Sequence, residues 1–321
     1  MYHTSSNIVD QAQLLSIWRN YLVYEGIKEI IPLSYLRYNE PMKAHTTFQI
    51  GGPVDVMALP TDSEQVGRLV AWCRAQGIPY LIMGQGSNLL VRDKGIRGVV
   101  IKLEQNFAAV KVEGEVITAQ AGVRLAELAE QAVGFRLSGL EFAQGIPGSL
   151  GGTIYMNAGA YGGEMKDVVD EVEAISEKGL LHTFSREELD FGYRQSVFHT
   201  NGHIVLVARI RLKRGEPGAI KARMEEFARR REEKQPLEYP SAGSVFRRPA
   251  GHYVGPMVEE MGLKGYRIGG AEVSRKHAGF IINTGGATAA DVLALISLIQ
   301  ARAQERYGIV LQPEIRIVGE K

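Results

Sequence analysis

The spacing of hydrophobic positions changes several times along the chain, and each change marks an element. In residues 8–24, Leu14, Leu15, Trp18 and Leu22 fall on one helical face, which predicts a short amphipathic helix after a polar start. The segment TDSEQVGRLVAWCRAQG, residues 61–77, pairs Thr61 with Glu64 in a capping-box pattern. It then spaces Val66, Leu69, Val70 and Cys73 at helical intervals and ends on Gly77. IPYLIMG and GVVIKL follow as two apolar runs of strand length on either side of a glycine-rich turn. AAVKVEGEVITAQAG alternates apolar and polar residues about Gly114, as a hairpin does, and RLAELAEQAVG returns to helical spacing with Leu125, Leu128 and Ala132 inward.

Further strands are expected at 168–175 and 203–213, after which KRGEPGA interrupts the pattern with charge, glycine and proline and predicts a domain boundary near residue 215. Pro217 suits the first turn of a long helix through Lys234, with Ile220, Met224 and Phe227 inward. A second long helix is expected from Ala289 to Tyr307, and IVLQPEIRIVGE reads as a closing strand. Strands and helices are mixed rather than strictly alternating, and no period of about 20–50 residues recurs, so solenoids and propellers are excluded. The expected organisation is a helical extension at 1–35, two α+β subdomains at 36–108 and 109–215, an α/β domain at 216–308 and a terminal strand at 309–321.

Composition narrows the class without selecting a function. A chain of 321 residues with 45% hydrophobic and 23% charged content is long enough for two or three globular domains. Its formal charge of +1 offers no global attraction for nucleic acid or an anionic membrane, so an anionic ligand has to be held locally. The one cysteine, Cys73, cannot pair within the chain and reads as packing. The start MYHTSSNIVDQAQ has neither a basic nor an apolar leader region, and no run of about 18 apolar residues occurs. These features predict a cytoplasmic protein, and with no charged tail or basic stripe the default expectation is a monomer or weak dimer.

Chemistry is concentrated in glycine-rich loops. GQGSNLLV carries Gly84, Gln85, Gly86, Ser87 and Asn88, a partial GxGxxG that leads into strand-like residues, so a Rossmann site is disfavoured. Two readings stay open for it: a plain turn, or a cradle whose backbone N–H groups, with Ser87 and Asn88, face a pyrophosphate. GIPGSLGGTIYMNAGAYGGE places seven glycines in twenty residues. Glycine loses the most entropy on ordering, so such density implies a backbone passing close to another backbone or to a ligand. HTTFQIGGP, with Thr46, Thr47 and Phe48 before Gly51 and Gly52, reads by itself as a strand and turn.

Together, HTTFQIGGP, LIMGQGSNLLV and GIPGSLGGTIYMNAGAYG resemble the FAD-binding signature of the UDP-N-acetylenolpyruvoylglucosamine reductase family. The resemblance continues through FGYRQSVF, YPSAGSVFRRP, RIGGAEVSRKHAGFIIN and QPEIRIVGE, and so covers roughly residues 40–321. The short connection after FGYRQSVF resembles the shorter class of the family, which lacks an extra tyrosine-bearing loop. The resemblance implies an α+β FAD-binding fold of the vanillyl-alcohol-oxidase type, two subdomains around the flavin with a third domain over the substrate. It also implies a closing strand that returns to the active site. FAD would lie against Thr47, Gly84, Gln85, Gly86, Ser87, Asn88, Gly145, Ile146, Pro147, Gly148, Ser149, Gly151, Gly152, Asn157, Ala158 and Gly159.

The activity implied is transfer of hydride from NADPH through FAD to C3 of an enolpyruvyl ether on a UDP-sugar, followed by protonation at C2. That step belongs to peptidoglycan precursor synthesis. By the same resemblance Ser244 is the proton donor, Arg194 steadies the developing carboxylate and enolate charge, and Glu314 assists at the enolate. Lys234 is a candidate for substrate or NADPH phosphates, while the Arg229–Arg231 run beside it reads as a solvated helix face. Arg248 stands where the longer class has a polar contact and could instead meet a phosphate. Gly269, Gly270 and His277 are expected to shape the substrate face, and no histidine spacing resembles a metal site. Read without the resemblance, Ser244 is a turn serine, Arg194 a surface ion-pair partner and Glu314 an outward carboxylate on a strand. Two rivals remain at this level: a flavin oxidase of the same fold, and a nucleotide-binding protein without catalysis.

Overall fold

The computed structural model describes residues 23–321, so the helix expected at 8–24 lies outside the described residues apart from its last two positions. The first unit is a four-stranded sheet in the order Leu36–Pro41, Pro53–Ala58, Ile96–Lys102, Tyr80–Met83. Its first pair is antiparallel and the others are parallel. A parallel pair needs a crossover, which the helix Ser63–Ala75 supplies. This helix buries Val66, Leu69, Val70 and Cys73 completely, at about 1.5–3 kcal/mol for each large aliphatic side chain. Burial pushes the Cys73 thiol up to about 12, which leaves it a packing residue without a thiolate. The cap differs from expectation by one residue. Asp62 is extended and its carboxylate accepts from Gln65 N at 2.8 Å, whereas the Thr61 N–H donates to the Gln65 side chain at 2.9 Å.

The second unit is a five-stranded antiparallel sheet ordered Leu181–Ser185, Val169–Ile175, Ile204–Arg211, Val116–Gln120, Val110–Glu113. The helix Leu125–Gly134 packs Leu125, Leu128 and Ala132 into its core. Pro217 begins the helix Pro217–Lys234 as its pattern predicts, yet Ile220 and Met224 enter this same core. The turn at KRGEPGA is therefore no break in packing, and the boundary between the cores falls after this helix rather than near residue 215.

The third unit starts with Ser241–Ser244 and builds the sheet Ser241–Ser244, Phe280–Asn283, Ala271–Val273, Arg267–Ile268. Every pair in it is antiparallel, so this unit is α+β in strand direction although the α/β expectation anticipated its mixture of helix and sheet. Val254–Glu260 and Ala289–Tyr307 cover it through Val258, Leu295, Ile296 and Ile299. Phe48, Ile50 and Leu90 of the first unit are buried in that core too, which docks the third unit onto the loops that carry Thr47 and Asn88. Asp93 extends the join, because its two carboxylate oxygens accept from Ala289 N at 2.7 Å and Ala290 N at 3.0 Å. The first turn of a helix has N–H groups without helical partners, so a carboxylate supplied by another unit fixes where that helix sits. Replacing Asp93 with alanine should cost about 1 kcal/mol and raise amide exchange at Ala289 and Ala290 about fivefold, measured by hydrogen-exchange NMR, with the sheet amides unchanged.

Candidate active site

The three units enclose a cavity of about 1450 Å³. A single drug-sized ligand occupies roughly 300–1,000 Å³, so this space admits a large cofactor and a second molecule beside it. One wall is backbone. The Gly84–Asn88 loop lies against the Gly145–Ser149 loop, with the Gln85 carboxamide oxygen accepting from Gly148 N at 2.8 Å and Ser87 Oγ donating to the Pro147 carbonyl at 3.1 Å. A Cβ on Gly84 would fall 1.7 Å from Ser149 Oγ, and Gly148 adopts φ 134°, a conformation open to glycine. The glycines therefore admit an approach that no side chain would tolerate. Thr47 joins from the other side, its Oγ1 donating to the Ser241 carbonyl at 2.7 Å. Ile146, Gly151, Gly152, Ala158 and Gly159 also line the cavity. Asn157 does not. It is wholly buried, its Nδ2 donating to Glu164 at 2.7 Å and to the Gly192 carbonyl at 2.9 Å while its Oδ1 accepts from Lys166 N at 3.0 Å. Its place is beneath the turn that carries Arg194.

That turn closes Gly192 on Gln195, with Arg194 at φ 54° in the left-handed region at its third position. An arginine there is strained backbone, and the strain presents the guanidinium toward the cavity. Arg194 Nε donates to Glu314 Oε1 at 2.9 Å, and its Nη2 reaches the Gly159 carbonyl at 3.4 Å. Glu314 is delivered by the closing strand. Arg316–Val318 pairs in parallel with Leu89–Val91, while Glu314 N donates to the Val245 carbonyl at 2.7 Å, next to Ser244. Asn88 Nδ2 donates to the Glu314 carbonyl at 3.2 Å, so the glycine loop and the closing strand hold one another. Burial raises the Glu314 carboxyl above its ordinary range, and this outweighs the opposing pull of Arg194 and Arg247. Ser244 lines the same space, exposed, its hydroxyl making no hydrogen bond among the described residues.

The remaining candidates divide. Arg248 lines the mouth of the cavity with its guanidinium 3.7 Å above the Tyr253 ring. His277 also lines it, but its Nδ1 accepts from Gly279 N at 3.0 Å, and burial lowers its pKa, which describes a neutral structural imidazole. Gly269 and Gly270 lie off the cavity, against Asp291 and Ala287. Lys234 is exposed and outside the lining, whereas Arg231, three residues earlier, is 6% exposed and faces in. The solvated-face reading of the Arg229–Arg231 run fails at this residue. The signal for it was present: Ile220, Met224, Phe227 and Arg231 share one helical stripe. Arg316, two residues beyond Glu314 at the start of the closing strand, and Tyr155, Gln235 and Tyr253 are further lining residues that motif reading did not single out. Among the described residues no His/Cys/Asp/Glu cluster could hold a metal ion, and no helix is long and apolar enough to cross a membrane.

Comparison with known proteins places this geometry. Residues 54–185 match the FAD binding domain family, the span that contains both glycine loops. The fold and the site thus define a flavin-dependent oxidoreductase. Residues 235–318 match the UDP-N-acetylenolpyruvoylglucosamine reductase C-terminal domain family. The chain is 56% identical over 299 residues to the UDP-N-acetylenolpyruvoylglucosamine reductase of Syntrophomonas wolfei, covering 93% of this chain and 100% of that one. It is 53% identical to the reductase of Caldanaerobacter subterraneus over 94% of this chain and 99% of that one. The crystal structure of the reductase from Thermus caldophilus superposes with a TM-score of 0.76 at 38% identity, covering 86% of this chain and 97% of that one. The chain belongs to the UDP-N-acetylenolpyruvoylglucosamine reductase family.

The glycine wall suits FAD on this structure's own evidence, since Gly84 and Gly148 let the two loops close on one another, with Ser149 and Ser87 where Cβ atoms would stand, and leave backbone facing the cavity. Gly84→Ala should fold but push Ser149 and its loop out of place, and its flavin content after purification, read from the ratio of visible to ultraviolet absorbance, should fall about tenfold.

Proposed function

We propose that this chain reduces the enolpyruvyl ether of UDP-N-acetylglucosamine to the lactyl ether UDP-N-acetylmuramate, with NADPH as the hydride source. The observation that carries the reading is the meeting of Arg194, Glu314 and Ser244 on one cavity beside the glycine wall. Bound FAD supplies the hydride carrier between the two substrates. The protein's own task begins when hydride reaches C3 and the electron pair of the double bond moves to C2, next to the carboxylate. Arg194, permanently charged and planar, holds that carboxylate and the enolate charge that spreads into it. Its hydrogen bond to Glu314 aligns the guanidinium before substrate arrives.

Glu314 acts in its neutral form, for which burial raises its pKa, and donates a hydrogen bond toward the enolate. Ser244 Oγ–H, free of internal partners, gives its proton to C2, and proton exchange with solvent restores it. A serine is a weak acid, but an α-carboxylate carbanion is a strong base, so fixed geometry is sufficient. Arg248 and Tyr253 at the mouth take the role of the clamp over the UDP portion, and Arg248 is a suitable phosphate contact. This arrangement would have no use in an enzyme that returns its electrons to oxygen, which needs neither a proton donor nor a carboxylate clamp.

Ser244→Ala should reduce its flavin with NADPH at the wild-type rate and then stall, with anaerobic reoxidation by UDP-N-acetylglucosamine enolpyruvate slowed about 10²–10⁴-fold in stopped-flow traces. Equal loss in both half-reactions would remove the serine from the role of proton donor. For Glu314 the sign follows from its neutral role. Reoxidation by substrate should slow as pH rises through a limb above the ordinary carboxylate range, and Glu314→Gln, which still donates but cannot ionise, should flatten that limb.

A further inference from the structure

Arg231 is a buried cation that the chemistry above leaves unused. It is 6% exposed, its Nε has no hydrogen-bond partner, and no carboxylate among the described residues lies within ion-pair distance of it. Its one polar contact is Nη1 to Gln235 Oε1, at 3.3 Å. Neighbouring Arg230, by contrast, is exposed and paired with Glu226. Leaving a charge buried without a counter-ion costs several kcal/mol, so a guanidinium kept in this condition is waiting for an anion.

Its surroundings say which region of the cavity that anion enters. Arg231 packs directly on Gly145, where an added Cβ would stand 3.0 Å from Cδ and 3.2 Å from Nε. The guanidinium lies 5.8 Å from the Tyr161 ring, which is stacked on Phe227 at 4.8 Å. Tyr161 follows the Gly159–Ala160 strand, whose first carbonyl accepts from Arg194. Arg231 therefore stands at the start of the Gly145–Ser149 loop, beside Tyr161 and the segment whose Gly159 carbonyl meets Arg194, whereas the donors suited to a diphosphate, Ser87 with the backbone of Gly84–Asn88, stand on the facing loop.

We propose that Arg231 is the cation that stabilises the negative charge on the pyrimidine portion of the flavin when it accepts hydride. A hydride adds one proton and two electrons, so the oxidised neutral ring becomes an anion whose charge rests on N1 and the C2 carbonyl. A guanidinium fixed in a wall of low dielectric stabilises that charge without solvent reorganisation and raises the ring's tendency to accept electrons. Burial lowers the Arg231 pKa, yet an arginine side chain stays protonated, so the charge is permanent. This inference rests on FAD occupying the glycine-walled cavity and not on the identity of the sugar substrate or the reductant.

Sulfite tests it directly, because its addition to flavin N5 bleaches the visible band and sends the same negative charge to N1 and the C2 carbonyl. The FAD holoenzyme, Arg231→Met and Arg231→Lys are each titrated with sulfite, and the two-electron reduction equilibrium is read against a reference dye. Wild type should bleach. Arg231→Met should bind sulfite at least about tenfold more weakly and shift the reduction equilibrium about tenfold, roughly 30 mV to lower potential for a two-electron couple, with FAD affinity little changed. Arg231→Lys, which restores the charge alone, should recover most of the loss. The idea is overturned if wild type does not bleach, or if Arg231→Met keeps sulfite affinity and potential while FAD dissociates more readily, which would assign the cation to the diphosphate. Should the methionine variant fail to fold, the lysine variant decides, since a sulfite affinity as weak as that of free FAD would equally overturn it. No UDP-sugar or NADPH enters these measurements, so failure of the substrate assignment leaves their outcome readable.

Discussion

The contact on which the site depends is the hydrogen bond from Arg194 to Glu314, 120 residues apart in sequence and 2.9 Å apart in space. Neither residue could reach the other from its own unit. Arg194 stands on a strained turn of the second unit, and Glu314 arrives on a strand that leaves the third unit to pair with Leu89–Val91 of the first. Closing that strand therefore assembles all three units around one cavity. A partly buried contact of this kind is a weak source of net stability, because it replaces hydrogen bonds that both groups would make to water. Its value is positional: each partner fixes the other's orientation before any ligand arrives.

Backbone geometry supports this arrangement from below. The two glycine loops approach so closely that Gly84 leaves no room for a Cβ against Ser149, and the entropy lost in ordering such loops has to be offset by the packing around them. Phe48, Ile50 and Leu90 provide some of that packing by entering the third unit's core immediately beside Thr47 and Asn88. Asn157 acts in the same way beneath Arg194, holding the Gly192 carbonyl and Glu164 at once. Residues near a motif can thus be indispensable to its shape without touching a ligand.

Charge is distributed by the same logic. Where the chain supplies its own partner to a cation, as Glu314 does to Arg194, orientation is set in advance. Where it supplies only a cation, as at Arg231, the missing partner has to come from what occupies the cavity. Desolvation acts on both: it raises the Glu314 carboxyl and lowers the arginine's pKa, and in each case burial strengthens interactions that water would mute.

The sequence was most informative where local rules act. Helical periodicity, with Pro217 at the first turn of one, located the two long helices, and alternation about Gly114 located the hairpin, because φ restriction and side-chain direction are properties of neighbouring residues. The glycine loops, and the motifs bearing Arg194, Ser244 and Glu314, were legible as motifs. Their convergence was not, since parallel pairing of Arg316–Val318 with Leu89–Val91 leaves no local trace. The same limit hid the true edge of the third unit: KRGEPGA looks like a linker, and only burial of Ile220 and Met224 beside the second sheet assigns the following helix to the preceding core. It also hid Arg231. Helical spacing puts Arg231 on the inward stripe, but a charged residue there reads as solvated until the opposing wall is known to contain a cavity. By itself the sequence determined the elements, the glycine-dependent turns and the chemical inventory; tertiary structure alone decided which charges are buried together, because burial depends on neighbours far away along the chain.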